Sequence, residues 1–171
     1  IEQGKFIPDI IHCHDWHTAL VPTFLDAARQ AGQLKYNIPC VFTIHNIAYQ
    51  GLTPKSLIKT LKIRVDQELA VMEDYQEADQ LNLMKIGILS ADKISTVSPR
   101  YARELISTEQ PGGLSPSLQR RKRDLVGILN GIDVTSFNPA TDKALIQPYS
   151  QKTWKVNKIK SIVDEKKIDL A

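Results

Sequence analysis

The sequence predicts an α/β fold, a parallel sheet with helices on both faces. Four short apolar runs, over 7–13, 38–44, 92–97 and 125–129, alternate with helical or mixed stretches. Each run ends in a polar cluster: His14-Asp15-Trp16-His17, His45-Asn46, Ser98-Pro99 and Asn130-Gly131. The runs are continuous and rich in β-branched residues, as in Ile10-Ile11, which suits buried strands. In a parallel sheet the four clusters share the carboxyl edge, where ligands bind in such folds.

Each element has a local cause. The first strand, over 7–13, delivers His14, Asp15, Trp16 and His17 to a turn. A helix over 18–31 follows, with Asp15 or Thr18 as its cap, Leu20, Phe24, Ala27 and Ala28 at helical spacing, and Gly32 as its stop. The second strand, over 38–44, leads into His45-Asn46 and then Ala48-Tyr49-Gln50-Gly51. The stretch over 52–79 has no clean period and reads as short helices and loops. A helix is expected over 80–90, with Leu81, Met84, Ile88 and Leu89 inward. The third strand, over 92–97, is followed by Ser98 as cap and Pro99 as first residue of a helix over 99–107. Its inward residues are Tyr101, Ala102, Leu105 and Ile106. Two Gly and two Pro predict a loop over 109–119, and Arg120-Arg121-Lys122-Arg123 reads as a solvated face. The fourth strand, over 125–129, precedes a turn at Phe137-Asn138-Pro139, and a Lys-rich helix is expected over 153–171.

The bulk composition narrows the function classes. A chain of 171 residues, 42% hydrophobic and 24% charged, can bury one ordinary core. A net charge of +3 is too mild to argue for a nucleic-acid surface. No apolar run approaches the length of a membrane span. The start, Ile1-Glu2-Gln3-Gly4-Lys5, has neither Met nor signal-peptide shape, so a piece of a longer chain is expected. Cys13 and Cys40 fall in predicted strands and read as small apolar fillers of a reduced, intracellular protein; a disulfide would need those strands to be neighbours.

The polar clusters carry the chemistry, each with a plainer alternative. His45, at a strand end and followed by Asn46, suits a hydrogen bond to a ligand hydroxyl or support of charge at a leaving group; otherwise it ties down the next loop. Asp15 suits acceptance of hydrogen bonds from ligand hydroxyls, or equally a helix cap. Asn130 offers a donor and an acceptor, and Gly131 lets the backbone turn and a ligand approach; the alternative is an Asn-Gly turn. Tyr49 and Gln50 are placed to line a groove, Trp16 to pack beneath the turn, and Ser98 to cap rather than attack. His12 is expected to be buried within its strand, and His14 and His17 at most to brace the cluster.

Four stretches, PDIIHCHDWHT, VFTIHNIAYQG, ADKISTVSPRYARE and VGILNGIDVTSFNPATD, resemble in order and spacing those of the glycogen and starch synthases of bacteria and plastids, covering 8–142. The resemblance implies a two-domain GT-B glycosyltransferase built of Rossmann-like halves, of which this is part of the N-terminal, acceptor-side half. By that likeness residues 1–150 are a partial catalytic domain, and 151–171 a helical segment leading to an absent C-terminal nucleotide-binding domain. An upstream Lys-Thr-Gly-Gly loop would also be missing, so most of the donor site lies elsewhere. The implied reaction is transfer of glucose from ADP-glucose to the nonreducing end of an α-1,4-glucan with retention, without cofactor or metal. Partners would then be ADP-glucose and glucan, with neither nucleic acid nor membrane, in the bacterial cytoplasm or a plastid. His45 and Asp15 would be the catalytic residues, and Asn130, Gly131, Asn46, Tyr49 and Gln50 would bind substrate. Two departures stand out: Ile86 replaces a family Gly, and Gln110-Pro111-Gly112-Gly113-Leu114 stands where the family has Tyr-Gly-Gly-Gly-Leu.

Two other readings compete. One is a noncatalytic glucan-binding fragment, since one wall of a cleft cannot by itself transfer glucose, and the segment alone is expected to be inactive. The other is a zinc hydrolase using the cluster of His12, His14 and His17.

Overall fold

A computed structural model describes residues 6–61, 79–107, 112–145 and 148–153. The helix expected over 153–171 lies almost wholly outside these residues, as does most of the irregular stretch after 61. The chain divides into two compact units, Ile1–Asn130 and Gly131–Ala171.

The first unit is built on a parallel sheet of four strands: β1 (Ile11–His14), β2 (Cys40–Ile44), β5 (Lys93–Thr96) and β6 (Leu125–Gly127), in that spatial order. A separate antiparallel pair joins β3 (Leu52–Pro54) to β4 (Gln80–Asn82). The helices are α1 (Leu20–Gln30), α2 (Ser56–Leu61), α3 (Leu83–Ser90), α4 (Pro99–Ile106) and α5 (Ser115–Arg120). The alternation of apolar runs thus gives the parallel sheet and helices that it predicts, with shorter strands. No described helix is long and apolar enough to cross a membrane.

Register sorts the strand residues by face. Cys13, Phe42, Ile44 and Ile94 alternate onto one side and join one buried cluster with Leu25 of α1, Met84 and Ile88 of α3, Leu105 of α4 and Leu118 of α5. Burying a side chain such as Phe42 contributes about 1.5–3 kcal/mol. Gly87 lets α3 approach: a Cβ there would stand 2.7 Å from the Phe42 ring and 3.0 Å from Cβ of Ala19. Cys13 and Cys40 are buried on adjacent strands as free thiols, Sγ to Sγ 3.7 Å. Burial first, then Cys13, pushes the Cys40 thiol up to about 12. The other side of the strands carries His12, His14, Val41, Thr43 and Ser95.

Local signals mark several boundaries. Gly32, at φ 66°, ends α1, and its N–H reaches Arg29 O while Gln33 N–H reaches Ala28 O, closing a Schellman turn. Ser98 caps α4 by accepting the Tyr101 N–H at 2.9 Å.

Four expectations are corrected. The turn after β1 is a short 3-10 helix, Trp16–Thr18, before α1 begins. Phe24 and Ala27 are exposed and Pro22 and Leu25 buried, because the core meets a different stripe of α1. Residues 80–82 are β4 rather than helix, since pairing with β3 outweighs their helical pattern. Within the predicted loop, Ser115–Arg120 is helical, with a proline in its first turn, where no intrahelical donor is lost.

Arg121 is a fifth correction, to a basic run read as solvated. Its guanidinium donates to Ile88 O (2.9 Å), Leu89 O (2.8 Å), Ala91 O (2.6 Å) and Asp92 O (3.3 Å), capping the carboxyl end of α3. Its Nε donates to Asp124 Oδ2 at 3.1 Å, and Lys93 Nζ donates to the other oxygen at 2.7 Å. Those hydrogen bonds, Lys93 before Arg121, hold the Asp124 carboxyl below its ordinary range.

In the second unit, carboxylate and amide turns shape the chain. Asp133 Oδ1 accepts the N–H groups of Thr135 (2.9 Å) and Ser136 (3.0 Å), Asn138 Oδ1 that of Ala140 (3.0 Å), and Asp142 Oδ1 that of Ala144 (2.8 Å). The Ser136 N–H, first among these causes, keeps the Asp133 carboxyl low.

Arg121→Met should cost about 2–3 kcal/mol in denaturant unfolding, because it orphans several carbonyls at once, and Arg121→Lys should recover less than half. Asp124 should show a matching pH dependence. A depressed folded pKa adds stability above the unfolded carboxylate value and loses it as pH falls through the folded one. The deficit in Tm of Asp124→Asn is therefore expected at neutral pH and should shrink below the ordinary carboxylate range.

Candidate functional site at the carboxyl edge

All four parallel strands end on one edge, which brings the polar clusters of β1 and β2 side by side. Asp15 follows β1 directly, and its backbone N–H continues the ladder to Thr43 O at 3.0 Å. It adopts φ 51° and ψ −176°, the one positive φ at a non-glycine among the described residues. That region is nearly reserved for glycine and costs about 1–3 kcal/mol.

The carboxylate does not cap its own helix. Oδ1 instead accepts the His45 N–H at 2.8 Å and, more weakly, the Asn46 N–H at 3.4 Å. The cap read from the sequence thus gives way to a bond between the ends of neighbouring strands. Thr18 is no cap either: its hydroxyl accepts the His14 N–H at 2.6 Å and donates to His14 O at 2.8 Å.

Three imidazoles line the edge. Nδ1 of His14 lies 3.0 Å from Nε2 of His45, and the His12 and His14 ring centres are 4.2 Å apart. His12 is exposed rather than buried, and its Nε2 meets the Thr43 hydroxyl at 2.6 Å, which meets the Ser95 hydroxyl at 2.6 Å. Partial desolvation, and then the charges of His14 and His45, lower the His12 pKa and favour its neutral form. His17 leaves the array to stack on Trp16, ring centres 4.0 Å apart. Among the described residues no three His, Cys, Asp or Glu side chains are arranged to hold a metal ion, so His12, His14 and His17 do not make the ligand set of the zinc reading.

The loop after β2 is tied down on several sides. The Ile47 N–H donates to the Tyr101 hydroxyl of α4 at 3.3 Å. Asn46 Oδ1 accepts the Ala48 N–H at 3.0 Å, while Tyr49 is 67% exposed and projects from the loop. Gln50 is engaged at both ends of its amide: Nε2 donates to Gly112 O at 3.0 Å, and Oε1 accepts from Asn82 Nδ2. Trp16 packs as expected, close enough to Gly51 that a Cβ there would stand 2.6 Å from its ring.

Asp15, His45, Asn46, Tyr49 and Gln50 therefore share one loop system. Asn130 ends the first unit beyond β6, two strand spacings from β2, or about 10 Å. No described hydrogen bond joins it to Asp15 or His45. Gly131 opens the second unit with no positive φ and nothing within 4 Å of an added Cβ, so no turn there demands glycine. Sequence reasoning missed Tyr101 as part of the site and gave His14 at most a bracing place in the polar cluster, a place that its bond to the His45 ring fills.

A family model described as "Starch synthase catalytic domain" matches residues 1–120. The chain belongs to this starch synthase family. Among curated relatives, glycogen synthase 2 of Geobacter sulfurreducens is 46% identical over 152 residues, covering 89% of this chain and 31% of the relative. Glycogen synthase of Opitutus terrae is 44% identical over 145 residues, covering 84% and 29%. The chain thus spans about 30% of the length of these starch synthase relatives. The catalytic domain of starch synthase IV from Arabidopsis thaliana, solved bound to ADP and acarbose, superposes with a TM-score of 0.73 at 32% identity, covering 99% of this chain and 35% of that one. The sheet and its edge loops are therefore a starch synthase framework.

The Asp15 clamp can be separated from its charge. Asparagine matches aspartate in shape, so it meets the same backbone strain, and it keeps an acceptor oxygen. Asp15→Asn should hold the unfolding free energy within about 0.5 kcal/mol, whereas Asp15→Ala should lose about 1–2 kcal/mol through the freed N–H groups. Equal losses in the two variants, measured by urea unfolding, would contradict the clamp.

Proposed function

We propose that this chain is the acceptor-side part of a retaining glucosyltransferase that moves glucose from ADP-glucose to the nonreducing end of an α-1,4-glucan. The observation that carries this reading is the pairing of Asp15 with the His45 loop at the carboxyl edge of a starch synthase sheet. A strained Asp15 whose carboxylate fixes the next strand's loop fits a preorganised site. The ADP and acarbose of the Arabidopsis complex support a nucleotide-sugar donor and a glucan acceptor.

In this reading His45 contacts the transferred glucose from the exposed strand end, and Asp15 holds His45 and Asn46 in register for it. Asn46 and Tyr49 offer amide and ring surface to sugar, while Gln50 supports the glycine loop at Gly112. Asn130 and the adjoining Gly131, which follow β6 in sequence, are proposed as further sugar contacts. Catalysis rests mostly on orientation and electrostatic stabilisation, because a nucleoside diphosphate is a good leaving group. The remaining domain would supply most of the donor site, and the setting would be the bacterial cytoplasm or a plastid.

Glucosyl transfer from radiolabelled ADP-glucose to glycogen tests the reading. The full-length enzyme carrying this segment should transfer glucose, and the 171-residue chain alone should not. His45→Ala in the full-length enzyme should lower kcat by about 100-fold or more. Unchanged turnover in that variant would remove His45 from the site.

A further inference from the structure

We propose that His14 is a positioning residue that fixes the ring of His45 through its Nδ1. This rests on the glucosyltransferase reading for its catalytic consequence, though not for its geometry. Among the described residues, the His45 ring has one hydrogen-bond partner, His14, at 3.0 Å between Nδ1 and Nε2. Asp15 holds only the backbone of His45, so the clamp and the ring contact are independent constraints. Without the second, an exposed imidazole just past a strand end would rotate freely about its side-chain bonds.

His14 is itself built to hold still. It pairs with Thr43 in the β1–β2 register, and its backbone N–H and C=O both bond the Thr18 hydroxyl. The His12 ring packs beside it at 4.2 Å and is anchored by Thr43, which Ser95 anchors in turn. The sequence Ser95, Thr43, His12, His14, His45 thus runs from the middle strand of the sheet to its edge.

The chemistry of two bonded imidazoles gives the inference its content. A bond between Nδ1 of His14 and Nε2 of His45 needs one N–H and one lone pair. The bond survives while the pair is neutral or singly protonated, and breaks when both rings are cationic. With Nδ1–H of His14 as the donor, neutral His45 accepts at Nε2 and carries its proton on Nδ1, the nitrogen left to meet substrate; a bond in the opposite sense would invert both tautomers.

Two measurements test this. In the 171-residue chain, imidazole nitrogen shifts read by long-range proton–nitrogen NMR should show His45 as one tautomer with a bonded Nε2. His14→Leu should shift those resonances toward a tautomer mixture, and His14→Asn, whose amide nitrogen falls near the Nδ1 position, should restore them. In the full-length enzyme, His14→Leu should lower kcat about 10- to 100-fold with KM for both substrates changed less than about threefold, and His14→Asn should recover most of the loss. Unaltered His45 shifts in His14→Leu, or an Asn variant as impaired as the Leu variant, would overturn the inference. An inactive wild-type enzyme would instead sink the glucosyltransferase reading, and the NMR comparison would then decide the positioning role alone.

Discussion

One carboxylate sets the geometry of the carboxyl edge. Asp15 lies at the end of β1, yet its oxygen serves the amides that open the loop after β2. The parallel register makes this possible, since it ends the two strands side by side. The unusual backbone angle accompanies it: at φ 51° the side chain does not cap the turn it begins. The strain of that residue is held by the ladder bond to Thr43 on one side and the 3-10 turn on the other. Position of the His45 loop therefore depends on sheet register first and on side-chain chemistry second.

The loop's other supports come from distant parts of the chain. Tyr101 reaches it from α4, and Gln50 links it to Gly112 and to Asn82 at the start of α3. Gly112, at φ 99°, leaves no room for a side chain: a Cβ would stand 2.2 Å from the Gln50 amide. A polar residue that the sequence offers as a groove lining thus commits one donor and one acceptor to the frame. The loop's fixed position is a property of several loops meeting.

Much of the fold was legible where a local cause acts alone. Apolar β-branched runs gave the four parallel strands, Ser98-Pro99 gave the start of α4, and Gly32 gave the end of α1. Misreadings fall where a tertiary partner decides. Residues 80–82 have a helical pattern but find β3, and Phe24 has helical spacing but faces solvent. Asp15 and Thr18 are residue types that cap, and both instead satisfy backbone groups elsewhere. The edge itself could be read from the alternation, because parallel strands must end together. Which side chains touch along it could not, because that depends on register and rotamer.

Arg121 carries a consequence for the order in which the chain acquires structure. The carbonyls it covers, from Ile88 to Asp92, precede it by 29 to 33 positions. As the polypeptide leaves the ribosome, α3 reaches its last turn well before its guanidinium exists. Its terminal carbonyls must be hydrated until α4 and α5 have emerged and turned back. Completing this cap therefore means closing a loop of about 30 residues, a nonlocal step whose entropic cost grows only slowly with loop length.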